Sequence, residues 1–186
     1  FLPAIELLKK HTLVVNVDGG VDYRLRALAQ AELYHYPLDE QADLSLQKSF
    51  RSLLSSPSEA KSNQVLIVEG RDIHSRYSAE GVVWFDFEAI CDGPRSQNDY
   101  IELSKEFHSV FISNVPALGR ANDDQARRFV NLVDEFYDRH VKLVLSADKP
   151  LAELYSDGKL NFEFQRTVSR LLEMQSHEYL GMEHRP

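Results

Sequence analysis

The amino-acid sequence predicts an α/β fold, and two features of its C-terminal half carry that prediction. Two apolar strands, at residues 110–115 and 141–145, are separated by one long helix. Asn122 is expected to cap this helix, which runs to Arg139 with its apolar side chains at helical spacing. Two strands joined through a helix are normally parallel neighbours in a sheet, with a right-handed crossover. A last helix at residues 162–180 completes a strand-helix-strand-helix unit, so we expect a sheet covered on both faces.

The first third of the chain predicts a mixture of short elements and ends in a boundary. Small and polar residues at 55–63 predict an exposed loop, which divides residues 1–58 from a C-terminal α/β region at 64–186. Four elements are expected before this loop: a helix tail at 4–10, an apolar strand at 12–17, a short strand at 32–36 and a helix at 39–54.

The predicted C-terminal region opens with a β-hairpin. Its strands lie at residues 65–68 and 82–87 and are joined by a longer turn around Glu80-Gly81. After the hairpin, Ser96 and Asp99 have the spacing of a capping box, which predicts the start of a helix that runs to about His108. This part of the chain is therefore expected to be antiparallel before the parallel unit begins.

Composition excludes several classes of protein. The chain has 186 residues, of which 43% are hydrophobic and 27% charged, as in an ordinary globular protein. A formal charge of -8 argues against an extended nucleic-acid-binding surface, and no run approaches the roughly 20 apolar residues of a transmembrane helix. Cys91 is the single cysteine, so no disulfide closes within the chain, which suits the cytoplasm, and we expect this thiol to be buried rather than reactive. The seven histidines lack metal-ligand spacing, so no metal site is predicted.

Phosphate-binding motifs are missing, although one candidate position remains. The sequence contains no G-x-x-x-x-G-K-[ST] motif, and the chain begins without Met, so we expect a piece of a longer protein that cannot bind ATP alone. The second strand ends in a polar tip from Ser146 to Pro150, at the edge where open α/β sheets place their ligands. P-loop ATPases hold a polar γ-phosphate sensor there, so Ser146 is a nucleotide-site candidate. Alternatively, Ser146 or Asp148 caps the segment that follows.

Arg166 and Arg170 are the candidate catalytic side chains. They lie on the face of the last helix opposite its apolar face, which is expected to contain Phe164 and Leu172 among others. Such a face is usually solvated, but an arginine projecting from a helix also suits an arginine finger or sensor for a transferring phosphoryl group. On the preceding helix, Arg127-Arg128 are expected to pair with Asp123-Asp124. The neighbouring Asp134-Glu135 pair is interpreted as surface residues or ion-pair partners.

Four sequence blocks carry a resemblance to a known family. They are TLVVNVDGGVDYR from Thr12, SQNDY from Ser96, ARRFVNLVD from Ala126 and FEFQRTVSRLLEMQS from Phe162. These blocks resemble the C-terminal part of ZapE-type AAA+ ATPases, bacterial cell-division proteins with mitochondrial relatives. The resemblance covers nearly the whole chain.

The resemblance implies more than the residues alone. It implies the C-terminal part of a P-loop-type AAA+ fold whose Walker A and Walker B motifs lie upstream, with ATP and Mg²⁺ as cofactors of the intact protein. Asp22 and Arg24 are further nucleotide-site candidates within a matched block. The implied partners are FtsZ or other division proteins, with self-association, in the bacterial cytoplasm and peripheral to the inner membrane; distant relatives are mitochondrial.

The order of elements in the C-terminal half suggests a degenerate copy of an ATPase core. Initiator-type AAA+ proteins follow a Walker B strand with a helix, a sensor strand and an Arg-bearing helix, and residues 110–171 repeat that order with Asn114 where the Walker B acids would stand. Two functions remain open. One is the lid and substrate-engaging region of an ATP-driven machine that remodels protein polymers. The other is a non-catalytic module whose acidic surface recruits a division or quality-control partner.

Overall fold

A computed structural model of the protein describes residues 28–29 and 31–186. The predicted helix tail at 4–10 and strand at 12–17 lie outside the described residues, as do the candidates Asp22 and Arg24.

Six strands form one mixed sheet. In spatial order the strands are β1 (Tyr34–His35), β7 (Lys142–Ala147), β5 (Ser109–Val115), β4 (Val82–Asp86), β3 (Arg71–Ala79) and β2 (Lys61–Val68). The first four are parallel, and β3 and β2 continue the sheet antiparallel. Strands β5 and β7 pair side by side, with Ile112 opposite Leu145, so the predicted parallel pair is confirmed.

Helices connect the parallel strands. The predicted helices at 39–54, 96–108 and 122–139 are found to within two residues of those bounds, whereas the short helix Phe87–Cys91 was not predicted. The predicted last helix at 162–180 is wrong as a single element, because it is broken at Gln175 and Ser176. The Ser176 hydroxyl accepts a hydrogen bond from the Tyr179 amide at 3.1 Å, which caps a new helix instead of continuing the old one. The helices are α1 (Glu40–Ser52), α2 (Phe87–Cys91), α3 (Gln97–Glu106), α4 (Asp123–Asp138), α5 (Asn161–Met174) and α6 (His177–Leu180).

The predicted hairpin is wrong because a whole strand, β3, lies between its two arms. Strand β3 pairs antiparallel with β2 on one side and β4 on the other, so that Tyr77 lies between Ser62 and Trp84. Its sequence gives little apolar signal, since Ile73 and Ser75 are its only fully buried side chains. The strand is therefore held by backbone pairing on both sides, although the pattern of its side chains does not predict it.

The predicted loop at 55–63 is shorter in the structure. A 3-10 turn occupies Pro57–Glu59, and β2 already begins at Lys61. Helix α1, which precedes this loop, packs against β5 and β7 beyond it. The division of the chain at this point stays a prediction, but its two sides share one sheet.

Both faces of the sheet are buried at its central strands β4, β5 and β7. Along β5, Val110 and Ile112 point into the larger core with α2, α3 and α4, while Phe111 between them points to the other face. Helix α1 covers that second face with Leu46 and Phe50, and the Phe50 and Phe111 rings lie 5.4 Å apart. This alternation is what a parallel strand between two helical layers requires.

A second, two-stranded sheet lies beside α4. It pairs β6 (Leu118–Gly119) parallel to β8 (Tyr155–Ser156). A Cβ at Gly119 would lie 2.2 Å from the Ser156 carbonyl oxygen, so only glycine allows the backbones this approach. The pairing positions the segment that leads into α5.

A buried ion pair fixes α3 to the start of β3. Asp99 is fully buried and accepts hydrogen bonds from Arg71 Nη2 at 2.8 and 2.7 Å. The same carboxylate accepts the Ser96 amide at 2.6 Å, as the predicted capping box requires. Asp99 thus closes the helix start and ties it to the sheet.

The C-terminal residues close the opposite edge of the sheet around Lys142. This side chain is 4% exposed, and its ammonium donates to the carbonyl oxygens of Tyr179 at 3.1 Å and Met182 at 2.7 Å. The Tyr179 ring lies 5.0 Å from the same nitrogen. Burial without a carboxylate partner lowers the pKa of Lys142 to about 8.

The buried pair gives the first prediction. Asp99→Ala removes the carboxylate and leaves Arg71, which is only 35% exposed, with no acid to pair with. We expect the free energy of unfolding to fall by about 3 kcal/mol, as for other broken buried pairs, in urea denaturation. Glu106→Ala, at an exposed position of the same helix, should change it by less than about 0.5 kcal/mol. Equal effects of the two substitutions would contradict this role of Asp99.

The Lys142 site gives a prediction about pH. The folded protein releases this proton near pH 8 and the unfolded chain near pH 10.5, so between these values the unfolded state binds more protons. Stability contributed by Lys142 therefore rises with pH, by up to about 1.4 kcal/mol per pH unit. Urea denaturation from pH 8 to 9.5 should show the wild type gaining stability relative to Lys142→Met. A difference that is constant or falls with pH would contradict the assignment.

Candidate functional site

The carboxyl ends of β4, β5 and β7 meet at one edge of the sheet, where the sequence predicts a ligand site. The three strands end near Asp86, Asn114 and Ser146. The Asn114 amide nitrogen Nδ2 donates to Asp86 Oδ1 at 2.8 Å, and its backbone N–H donates to Ser146 Oγ at 3.1 Å. Asn114 therefore links the strands on both of its sides.

Arg76 on β3 completes this edge with two ion pairs. Its Nε donates to Asp86 Oδ2 at 2.8 Å, and its Nη1 donates to Asp43 Oδ1 of α1 at 2.6 Å. Its guanidinium carbon lies 5.5 Å from the centre of the Trp84 ring. Partial burial lowers the pKa of Arg76. The hydrogen bonds to Asp86 and Asp43, and the charges of these two carboxylates, raise the pKa by more, so the net shift is upward.

An open crevice of about 390 Å³ lies between this edge and the start of α1. Its lining includes the acids Asp39, Glu40 and Asp43, while its single arginine, Arg76, is already paired with two carboxylates. Asp39 also occupies the helix N-terminus, because it accepts the Ala42 amide at 2.8 Å. The crevice does not fit a triphosphate, since like charges would face one another.

The same edge offers no site of the usual kind for Mg²⁺. Asn114 carries an amide rather than a carboxylate, and that amide donates to Asp86. Across residues 28–29 and 31–186, no group of three or more His, Cys, Asp or Glu side chains is placed to hold a metal ion. The charged and polar side chains at this edge instead bind one another: Arg76 pairs with Asp43 and Asp86, and Asn114 donates to Asp86.

Ser146 lies at the predicted place, but its hydroxyl is committed within the protein. The residue is 2% exposed and accepts the Asn114 backbone N–H. The alternative prediction, that Ser146 or Asp148 caps the next segment, is wrong: Pro150 occupies the N-cap position of the 3-10 turn that follows, and no side chain caps it. A nucleotide role for Ser146 stays a prediction.

Arg166 and Arg170 share one carboxylate on the neighbouring helix. Arg166 Nη2 donates to Asp134 Oδ2 at 2.7 Å, and Arg170 Nη1 donates to the other oxygen, Asp134 Oδ1. The Arg170 guanidinium lies 4.9 Å from the centre of the Tyr137 ring. Arg166 is 51% exposed and Arg170 is 23% exposed, so Arg166 is the more available of the two.

The structure corrects the predicted pairing of Arg127 and Arg128. They do not pair with Asp123-Asp124 along α4: Arg127 reaches Glu163 on α5 at 3.5 Å, and Arg128 donates to the Cys91 carbonyl oxygen at 3.2 Å. Packing between helices brings these partners closer than the preceding turn does. Asp123 instead accepts the Tyr155 hydroxyl at 2.6 Å.

Three smaller predictions also have outcomes. Leu172 is not on the buried face of α5 but is 59% exposed. Asn122 precedes α4 as predicted, although its side chain accepts the Gly119 amide at 2.8 Å rather than capping the helix. Cys91 is buried as predicted, and burial raises the pKa of its thiol. The polar network around Arg76 had no signal in the sequence, because it depends on the unpredicted strand β3.

Comparison with known proteins agrees with this architecture. The family model described as AFG1-like ATPase matches residues 1–183. The chain belongs to the AFG1-like ATPase family. The resemblance to ZapE-type ATPases is confirmed, and so is the predicted α/β fold.

Similar proteins occur in bacteria and eukaryotes. Cell division protein ZapE of Escherichia coli K12 is 46% identical over 184 residues, covering 99% of this chain and 48% of that protein. Lactation elevated protein 1 homolog B of Danio rerio is 32% identical over 212 residues, covering 96% of this chain and 42% of that protein. The chain thus spans about half the length of the curated relatives it matches.

No solved structure matches the chain significantly. Among the helices within residues 28–29 and 31–186, none combines the length and apolar composition that crossing a bilayer demands.

Asn114 allows a direct test of the edge geometry. Its φ of +65° is a left-handed conformation, in which a Cβ is strained. Asn114→Ala and Asn114→Gly both lose the bond to Asp86, but glycine relieves the strain, so the Gly variant should be more stable than the Ala variant by about 1 kcal/mol in urea denaturation. At Gln165, an exposed residue within a helix, the Ala variant should instead be more stable than the Gly variant. Finding Ala more stable at both positions would contradict the described edge.

Proposed function

We propose that this chain is the C-terminal region of a ZapE-like ATPase, which in the intact protein uses ATP hydrolysis to remodel protein polymers in cell division. The observation that carries this proposal is the match of residues 1–183 to the AFG1-like ATPase family. The 46% identity to cell division protein ZapE of Escherichia coli supports a division role in particular. We place the protein in the bacterial cytoplasm, peripheral to the inner membrane, with FtsZ or another division protein as its partner.

ATP and Mg²⁺ bind outside the crevice at the carboxyl edge in this proposal. The acids Asp39, Glu40 and Asp43 repel phosphate groups there, and Arg76 is occupied by two carboxylates. The nucleotide is instead held by the remainder of the longer protein, since the curated relatives are about twice the length of this chain. Asp22 and Arg24 remain candidates for contacts to it.

Arg166 is the side chain through which this region would affect hydrolysis. It is half exposed on α5, and Asp134 holds its guanidinium in place. An ordered, exposed guanidinium can stabilise charge on a transferring phosphoryl group in a neighbouring site. Arg170 is held more firmly, between Asp134 and the Tyr137 ring, and supports the same surface.

A second candidate function is a non-catalytic interaction module. The acidic crevice favours it, because Asp39, Glu40 and Asp43 could receive a basic side chain of a division or quality-control partner. The formal charge of -8 points the same way. Under this second function, Arg166 and Arg170 of α5 would have no part in ATP turnover.

Turnover of the intact protein separates the two candidates. Arg166→Ala should lower ATP hydrolysis about tenfold or more while leaving the melting temperature nearly unchanged, because an arginine that stabilises the transition state has effects of at least this size. Arg127→Ala is the matched control, since Arg127 is 53% exposed and paired with a single acid. Its turnover should equal that of the wild type. Unchanged turnover in both variants would reject the first candidate in favour of the interaction module.

A further inference from the structure

A partly enclosed cavity of about 320 Å³ opens between α1, the loop that follows it and strands β2, β3 and β4. It lies on the face of the sheet that α1 covers. It is separate from the acidic crevice at the carboxyl edge, because no described residue lines both. Small-molecule sites have volumes of about 300–1,000 Å³ and combine an apolar lining with a few polar groups that orient the ligand. The cavity therefore has the size of a site for a small ligand.

Three aromatic rings that contact one another form the apolar wall of this cavity. The centre of the Phe50 ring lies 5.9 Å from that of Tyr77 and 5.8 Å from that of Trp84, and the Tyr77 and Trp84 rings are 5.5 Å apart. Phe50 and Trp84 are almost fully buried, so the core holds this wall in place. Leu54 and Ala60 add aliphatic surface beside the rings. A preformed aromatic wall favours a flat ring, which gains both buried area and ring contacts against it.

The polar side chains of the cavity are hydrogen-bond donors without partners. Gln47, Arg51, Ser62 and Tyr77 line it, and none of these side chains makes a hydrogen bond or an ion pair within the described residues. A guanidinium, an amide nitrogen and two hydroxyl groups can all donate to an oxygen. The polar part of the cavity therefore suits a ligand group that accepts several hydrogen bonds.

Arg51 gives the cavity a positive charge. It is the single charged residue among the described residues that line it. No residue three or four positions before or after Arg51 is acidic, so no acid within helical reach neutralises it. Glu59 belongs to the neighbouring loop, but its carboxylate accepts the Ser55 amide at 3.2 Å. An unpaired guanidinium beside an apolar wall favours a carboxylate, with which it forms charge-assisted hydrogen bonds.

We propose that this cavity binds a small aromatic carboxylate, with its ring against Phe50, Tyr77 and Trp84 and its carboxylate on Arg51. Such a ligand satisfies both parts of the cavity at once. A purely apolar ligand would leave the donors unpaired, and inorganic phosphate would leave the aromatic wall uncovered. This site goes beyond the proposed ATPase function and does not depend on it.

Two compounds that differ in charge but hardly in size test the ligand class on the intact protein. N-acetyl-L-tryptophan has a ring and a carboxylate, and N-acetyl-L-tryptophanamide has a neutral amide in place of the carboxylate. In ligand-observed saturation-transfer NMR, the acid should bind about tenfold more tightly than the amide, because charge-assisted hydrogen bonds are about twice as strong as neutral ones. Equal affinities for the two compounds, or binding of neither, would overturn the proposal.

Three variants test the position of the site. Arg51→Gln should lower the affinity for the acid about tenfold and leave that for the amide unchanged. Lys48→Gln is the matched control, because Lys48 is another exposed cation of α1 that does not line this cavity, and it should bind both compounds as the wild type does. Ala60→Met extends a side chain of the lining into the cavity and should remove the binding of both compounds. Equal effects of the two α1 variants, or wild-type binding in a folded Ala60→Met, would refute this position.

A short peptide that ends in tryptophan with a free carboxylate separates two sources of the same chemistry. A free small molecule and the last residue of a partner chain both present a ring beside a carboxylate. Affinity for the peptide that equals or falls below the affinity for N-acetyl-L-tryptophan supports a free small molecule. Affinity at least tenfold higher for the peptide would assign the cavity to a chain terminus and reject the small-molecule ligand.

Discussion

Strands β4, β5 and β7 are buried on both faces, and the remaining described elements take their places from that burial. Neighbouring side chains of β5 enter different cores, so a helix layer is needed on each side of the sheet. Helix α1 supplies one layer, and α3 and α4 supply the other. Helix α4 packs against the sheet, and α5 packs against α4. This packing brings Arg166 and Arg170 of α5 into contact with Asp134 of α4.

The carboxyl edge of the sheet illustrates how a ligand site can be replaced by internal contacts. Open parallel sheets usually leave this edge free for a ligand. Here the antiparallel strand β3 brings Arg76 across it, where the guanidinium is paired with Asp43 and Asp86. The positive charge that a phosphate would need is already paired with two carboxylates, and Asn114 donates its side-chain amide to one of them, Asp86. The charges at this edge are thus balanced within the protein.

The parts of the fold that were predictable are those with strong periodic patterns. Apolar runs at residues 110–115 and 141–145, with the long helix between them, were enough to predict the parallel pair. Strand β3 was not predictable, because its side chains are mostly polar and its pairing comes from its neighbours. Ion pairs were the least accessible feature: Arg127 and Arg128 had acids nearby in sequence but found partners on other elements, at Glu163 and Cys91. The sequence could place Arg166 and Arg170 on the helix face opposite the apolar one, but it could not show that a single carboxylate binds both.

The surroundings of Lys142 have a consequence for the order in which the chain can complete its fold during synthesis. The acceptors of this ammonium are the carbonyl groups of Tyr179 and Met182, which leave the ribosome long after β7. Until they arrive, pairing β7 into the sheet would bury a charge without acceptors, which is unfavourable. The amino edge of the sheet is therefore completed only when Tyr179 and Met182 have been made, so its assembly depends on a segment that follows Lys142 by 37 to 40 residues.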